Sequence, residues 1–104
     1  MTAQECRAQM IGQTWQGTVT DETTGSSASY SWVCDNVSQT GLDDRVIIVL
    51  NNWQGAYREF CFSEEKLKGY DAVTLVKFVD ERLRQGLAQE VGVGAFSELV
   101  GEAI

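Results

Sequence analysis

Residues Asp43–Phe62 read DDRVIIVLNNWQGAYREFCF. Arg45–Leu50 is the only unbroken aliphatic run in the chain, and it is rich in β-branched side chains. A run of that length between Asp-Asp and Asn-Asn predicts a strand buried on both faces. Asn51–Gly55 supplies turn residues, and Ala56–Phe62 then alternates. Arg58, Phe60 and Phe62 share one side, and Tyr57, Glu59 and Cys61 the other. Two strands joined through a short loop predict a β-hairpin at the centre of the fold.

Working back from that hairpin, Asn36–Asp44 reads as a loop and Tyr30–Asp35 as a strand, with Tyr30, Trp32 and Cys34 on one face. Asp21–Ser29 is a polar cluster that reads as a hairpin loop. Gln13–Thr20 alternates, with Trp15, Gly17 and Val19 on one side and Thr14, Gln16, Thr18 and Thr20 on the other. The start is helical. Thr2 and Glu5 form a capping box, Cys6 and Met10 share a face, and Gly12 ends a helix over Ala3–Ile11.

Beyond Phe62, Ser63-Glu64-Glu65 opens a short helical turn and Asp71 caps a longer helix. Ala72, Leu75, Val76, Val79 and Leu83 form its apolar stripe, and Gly86 stands just past an expected end at Gln85. Gln89–Gly94 reads as a flexible link. Phe96, Leu99, Val100, Ala103 and Ile104 then repeat at helical spacing, which predicts a last amphipathic helix. The chain, residues 1–104, is therefore expected to be one α+β domain. Its predicted architecture is a two-layer sandwich: a four-stranded antiparallel meander with a short N-terminal helix and C-terminal helices on one face.

Charge narrows the function. Fifteen acidic and eight basic residues leave a net charge of −7. From Ala8 to Asp44 there are five carboxylates and no basic residue. Such a surface repels phosphate, so direct nucleic-acid binding is not expected. No stretch reaches the ~20 apolar residues of a membrane-spanning helix, so no membrane role is expected. The segment MTAQECRAQM lacks a leader's apolar run, and three scattered cysteines suit reduced thiols, so a cytoplasmic location is expected.

The chain holds no histidine, which removes the commonest general base and every Ser-His-Asp or Cys-His arrangement. Gly92-Val93-Gly94 lacks the third glycine and the Lys-Ser/Thr of a phosphate loop. Asp35, Asp43 and Asp44 have no calcium-loop spacing. Neither a cofactor, a metal nor a catalytic residue is expected.

Two classes of function remain. The first is a non-enzymatic acidic protein-binding module. It would act as an inhibitor or adaptor covering a partner's surface, a basic nucleic-acid-binding one above all. Its contacts would be Trp53, a tryptophan in a turn, and the carboxylates Asp21, Glu22, Asp43 and Asp44. A turn tryptophan is otherwise expected to lie half-buried against its own hairpin. Small acidic inhibitors and dimeric secretion-type chaperones share this composition, and a homodimer closed by the last helix and a sheet edge is compatible with either class. The second class is a small-ligand-binding or enzymatic domain. Its pocket would be lined by Tyr30, Trp32, Tyr57 and Phe60. Arg45 or Arg58 would hold an anion, and Glu59 would serve as acid or base.

Overall fold

The computed structural model describes residues 1–39 and 44–93, with 90–93 as backbone alone. At its middle, β3 (Arg45–Asn52) pairs antiparallel with β2 (Ser27–Gln39) on one side and β4 (Tyr57–Ser63) on the other. β1 (Thr14–Thr20) pairs with β2, which gives a meander in the order β1-β2-β3-β4. Among the described residues three helices accompany the sheet: α1 (Ala3–Met10), α2 (Glu64–Leu67) and α3 (Ala72–Val93). The expected α+β sandwich is the observed one.

The cross-strand register places every buried sheet residue on one face. Trp15, Tyr30, Cys34, Val37, Val46, Ile48, Leu50, Phe60 and Phe62 meet Cys6 and Met10 from α1, Leu67 from α2, and Leu75, Val79 and Leu83 from α3. Two side-chain bonds fasten α3 to the sheet. Trp15 Nε1 donates to the Val76 carbonyl at 3.0 Å, and the Tyr30 hydroxyl donates to Asp80 Oδ1 at 2.6 Å. At the other end Phe62, Tyr70 and Phe78 pack ring to ring, 5.6 to 5.8 Å apart.

The central strand departs from expectation. Val46, Ile48 and Leu50 are fully buried, whereas Ile47 and Val49 are only half-covered. Strand side chains alternate, and among the described residues the helices occupy one face only, so β3 is buried on that face and half-covered on the other. The opposite face carries Thr14, Gln16, Thr18 and Thr20 with Ser27, Ser29, Ser31 and Ser38. Thr18 and Ser29 share a hydrogen bond across it at 3.2 Å.

β2 is also longer than its alternation suggested. Its pairing passes from Cys34↔Leu50 to Asn36↔Val49, so Asp35 is an extra residue in the strand. That bulge resets the alternation and turns Val37 inward, where it is buried. Residues expected in a loop thereby join the strand as far as Gln39.

The helix starts match expectation. The Glu5 N–H donates to Thr2 Oγ1 at 3.0 Å and the Thr2 N–H to Glu5 Oε1 at 2.8 Å, which completes the capping box. Gly12, at φ +94°, then turns the chain from α1 into β1. The Thr74 N–H donates to Asp71 Oδ1 at 2.9 Å, and this hydrogen bond holds the Asp71 carboxyl below its ordinary range. The far end of α3 differs from expectation. The helix runs through Gly86 to Val93 and does not stop at Gln85. A mid-helix glycine costs about 1 kcal/mol relative to alanine, and Leu87, one turn beyond Leu83 and packed on the core, outweighs it. The predicted helix at Phe96–Ile104 lies outside the described residues.

Cys6 and Cys34 are buried, and desolvation pushes both thiols up to about 11 from an ordinary 9.0. Cys61 is half-buried on the open face. Iodoacetamide at pH 8 is therefore expected to modify Cys61 first, and the other two only after denaturation, as read by peptide mass mapping. The same burial sets an alkaline limit. The unfolded chain releases both protons near pH 9.0, while the folded core keeps them to about 11. Stability is thus fully present below pH 9.0 and declines as pH rises toward 11. Cys6→Ala/Cys34→Ala should flatten that decline in thermal melts.

Candidate functional site

The two hairpins end at different heights. β2 pairs with β1 out to Ser27, but with β3 only as far as Trp32↔Asn52. The β1–β2 hairpin therefore overhangs the β3–β4 turn. Beneath the overhang is an open groove of about 420 Å³ between the sheet and the second half of α3. Tyr30, Trp32, Trp53 and Tyr57 form its aromatic wall, Leu83 and Leu87 come from α3, and Arg58 is its charged group among the described residues.

Tyr30 and Trp32 are held from behind. Tyr30 lies against Gly17, the residue opposite it on β1, and its hydroxyl is bonded to Asp80. Arg84 pairs with Asp80 at 3.2 Å and stands 5.5 Å from the Tyr30 ring centre. Burial and the Asp80 hydrogen bond raise the Tyr30 phenol above its ordinary 10.0, so it remains a neutral donor at physiological pH. Trp32 is half-buried, with the Arg58 guanidinium 5.4 Å from its ring centre.

Trp53 is different. It is 80% exposed, in a turn that is nonetheless well tied. Asn52 Oδ1 accepts from the N–H groups of Gln54 and Ala56, each at 2.9 Å, and the Asn52 N–H donates to the Ala56 carbonyl at 3.0 Å. Gly55 closes the turn at φ +89° and donates to the Asn52 carbonyl at 3.1 Å. The side chain stands out in water rather than against its hairpin, and the backbone below it is fixed.

The residues singled out from sequence are partly gathered here. Tyr30, Trp32, Trp53, Tyr57 and Arg58 line the groove. Glu59 does not. It follows Arg58 on β4 and faces the open side of the sheet opposite Val49. Phe60 is sealed in the core. Arg45 stands opposite Ser63 at the other end of β3.

The acidic residues are divided. Asp21 and Glu22 sit at the tip of the overhanging hairpin, but the Asp21 carboxylate accepts from the Thr23 N–H and the Thr24 hydroxyl, each at 3.0 Å, and so holds its own turn. Asp44 is a strand length away from Trp53, at the other end of β3, which is roughly 26 Å long. Its carbonyl accepts from the Glu64 N–H at 2.8 Å. Asp43 lies outside the described residues. Among the described residues, no three Asp, Glu or Cys side chains gather as a metal site, and no helix is long and apolar enough to cross a membrane.

Leu87 was not anticipated. Its signal was its place four residues after Leu83, hidden by Gly86 between them. No family model, curated protein or solved structure matches this chain.

Proposed function

We propose that this chain is a non-enzymatic protein-binding module that holds a partner through the aromatic groove, with Trp53 as the anchor. The observation that carries this reading is the exposed Trp53 on a hydrogen-bonded turn beside Tyr57 and Trp32. A large apolar side chain kept in water by a rigid turn loses little conformational freedom on binding and gains most of its burial there. The groove's second half contributes tyrosine, arginine and leucine, the mixture that binding interfaces favour. Net charge of −7 favours a basic partner and speeds its approach. The module would act by occupying that partner's surface, as an inhibitor or adaptor does.

Trp53→Ala is the direct test. It should leave stability within about 0.5 kcal/mol of the parent, because the side chain is exposed. Capture of the specific partner from the native host should weaken about thirtyfold, the loss of a ~2 kcal/mol hot spot. Glu22→Lys should slow association, and Asp44→Lys, at the opposite end of the sheet, should not. Equal capture by Trp53→Ala and the parent would refute the reading. The groove's volume also suits a small aromatic anion stacked by Trp32 and Arg58, the second reading. A calorimetric screen of such anions that gives no saturable heat would eliminate it.

A further inference from the structure

Ser27–Ser31 pair with β1 on one side. Among the described residues, no strand pairs with their other side, because β3 stops at Asn52. At ~3.3 Å per residue this open edge is roughly 17 Å long. The ladder determines which groups it presents. The Cys34 N–H donates to the Gln13 carbonyl at 2.8 Å, and the Gly12 N–H donates to the Cys34 carbonyl at 3.0 Å, so the Cys34 backbone points toward β1. At the other end of the hairpin the Asp21 N–H donates to the Ser26 carbonyl at 2.7 Å, again toward β1. Direction alternates along a strand, so Ala28, Tyr30 and Trp32 follow Cys34 and Ser26, while Ser27, Ser29 and Ser31 aim their N–H and C=O groups at the open edge.

Exposed edges are ordinarily blunted by lysine, proline or a bulge. This one reads Ser-Ala-Ser-Tyr-Ser and carries none of them; its bulge is four residues further on, at Asp35. The edge also borders the groove. Ser29 and Ser31 line it, and Tyr30 and Trp32 reach into it from the same strand. Backbone donors and acceptors thus lie along one wall of an aromatic trough that the β3–β4 turn closes at one end.

We propose that the Ser27–Ser31 edge and the groove form one site, which takes an extended segment of the partner protein as an added strand where a longer β3 would run. This rests on the protein-binding reading above and names the partner's chemistry. Alternate residues of the segment are large and apolar, facing Trp53, Leu83 and Leu87, and those between are polar, facing the Ser/Thr side of the sheet. The end of the segment beside the hairpin tip carries Lys or Arg, because the hairpin it joins holds Asp21 and Glu22 there and no basic residue, whereas Arg58 is the charged group of the groove itself. Main-chain bonds supply affinity that tolerates sequence change, and the groove supplies selection.

The test selects random dodecapeptides displayed on phage against the full chain. A selected peptide is then titrated calorimetrically beside two versions N-methylated at odd or at even residues. Alternating apolar and polar residues with Lys or Arg are expected. One methylated version should bind at least tenfold more weakly, the other within threefold, and amide exchange at Ser29 and Ser31 should slow at least tenfold in the complex. If both methylated versions bind like the parent, the added strand is wrong, and the protein-binding reading survives provided Trp53→Ala still loses capture. Peptides that bind Trp53→Ala as tightly as the parent, or a selection that yields none, would remove both. A chain that sediments as a dimer with Ser29 and Ser31 already protected gives the edge to a second copy. Tenfold tighter peptide binding after truncation beyond Val93 gives it to residues 94–104. Either result overturns the proposal.

Discussion

Ile48→Ala is expected to cost about 4 kcal/mol, and Ile47→Ala no more than about 1 kcal/mol, although the two are neighbours of the same type in the same strand. Ile48 is 0% exposed, opposite Phe60 on β4 and Val37 on β2, and its removal leaves a cavity in the rigid middle of the core. Ile47 faces the other way, half-covered between Ser38 and Cys61, where water can fill the space an alanine leaves. For a chain of this length, 1 kcal/mol corresponds to about 4–8 °C in Tm, so the two variants should melt at least 12 °C apart. Urea unfolding should show the same order with unchanged slopes. Equal losses would mean that a layer outside the described residues, or a second chain, covers the open face.

The second large effect is expected at Gly17. A Cβ there would stand 2.7 Å from the Tyr30 hydroxyl oxygen and 2.9 Å from two of its ring carbons. Gly17→Ala must therefore displace the ring. The displaced phenol loses its 2.6 Å bond to Asp80, leaving that half-buried carboxylate with Arg84 alone. Overpacking and a lost charge-assisted hydrogen bond together come to about 3 kcal/mol. The control is a double-mutant cycle. With Tyr30→Ala in place the space is open, and Gly17→Ala should then cost under about 1 kcal/mol. Losses that simply add would show that the glycine serves the backbone of β1 rather than the ring. Because Tyr30 is also a wall of the groove, Gly17→Ala should weaken capture of the partner more than its stability loss explains.

What could be read before folding was local. The Thr2–Glu5 box, the Asp71 cap, the alternation of Trp15 to Val19 and the turn at Asn51–Gly55 each depend on residues within a few positions of one another. Their hydrogen bonds form where the spacing put them. The same reading gathered Tyr30, Trp32 and Arg58 on one face, because period-two alternation and antiparallel order bring them together, whereas Tyr57 faces the other way and lines the groove at the end of β4. Glu59 lies two residues further along that other face, opposite Val49, and is not among the lining residues.

Three features needed the assembled molecule. An aliphatic pentad reads alike whether one face of a strand is covered or both, and only the placement of the helices decided that Ile47 and Val49 stay half-covered. An extra residue at Asp35 leaves no mark in composition, yet it turned Val37 into the core. The groove exists because β2 is longer than β3 and because α3 continues past Gly86 beneath the overhang. Secondary structure was set by short-range periodicity and capping. The site arose from differences in length between elements far apart in the chain, and those differences acquire meaning only when the elements lie side by side.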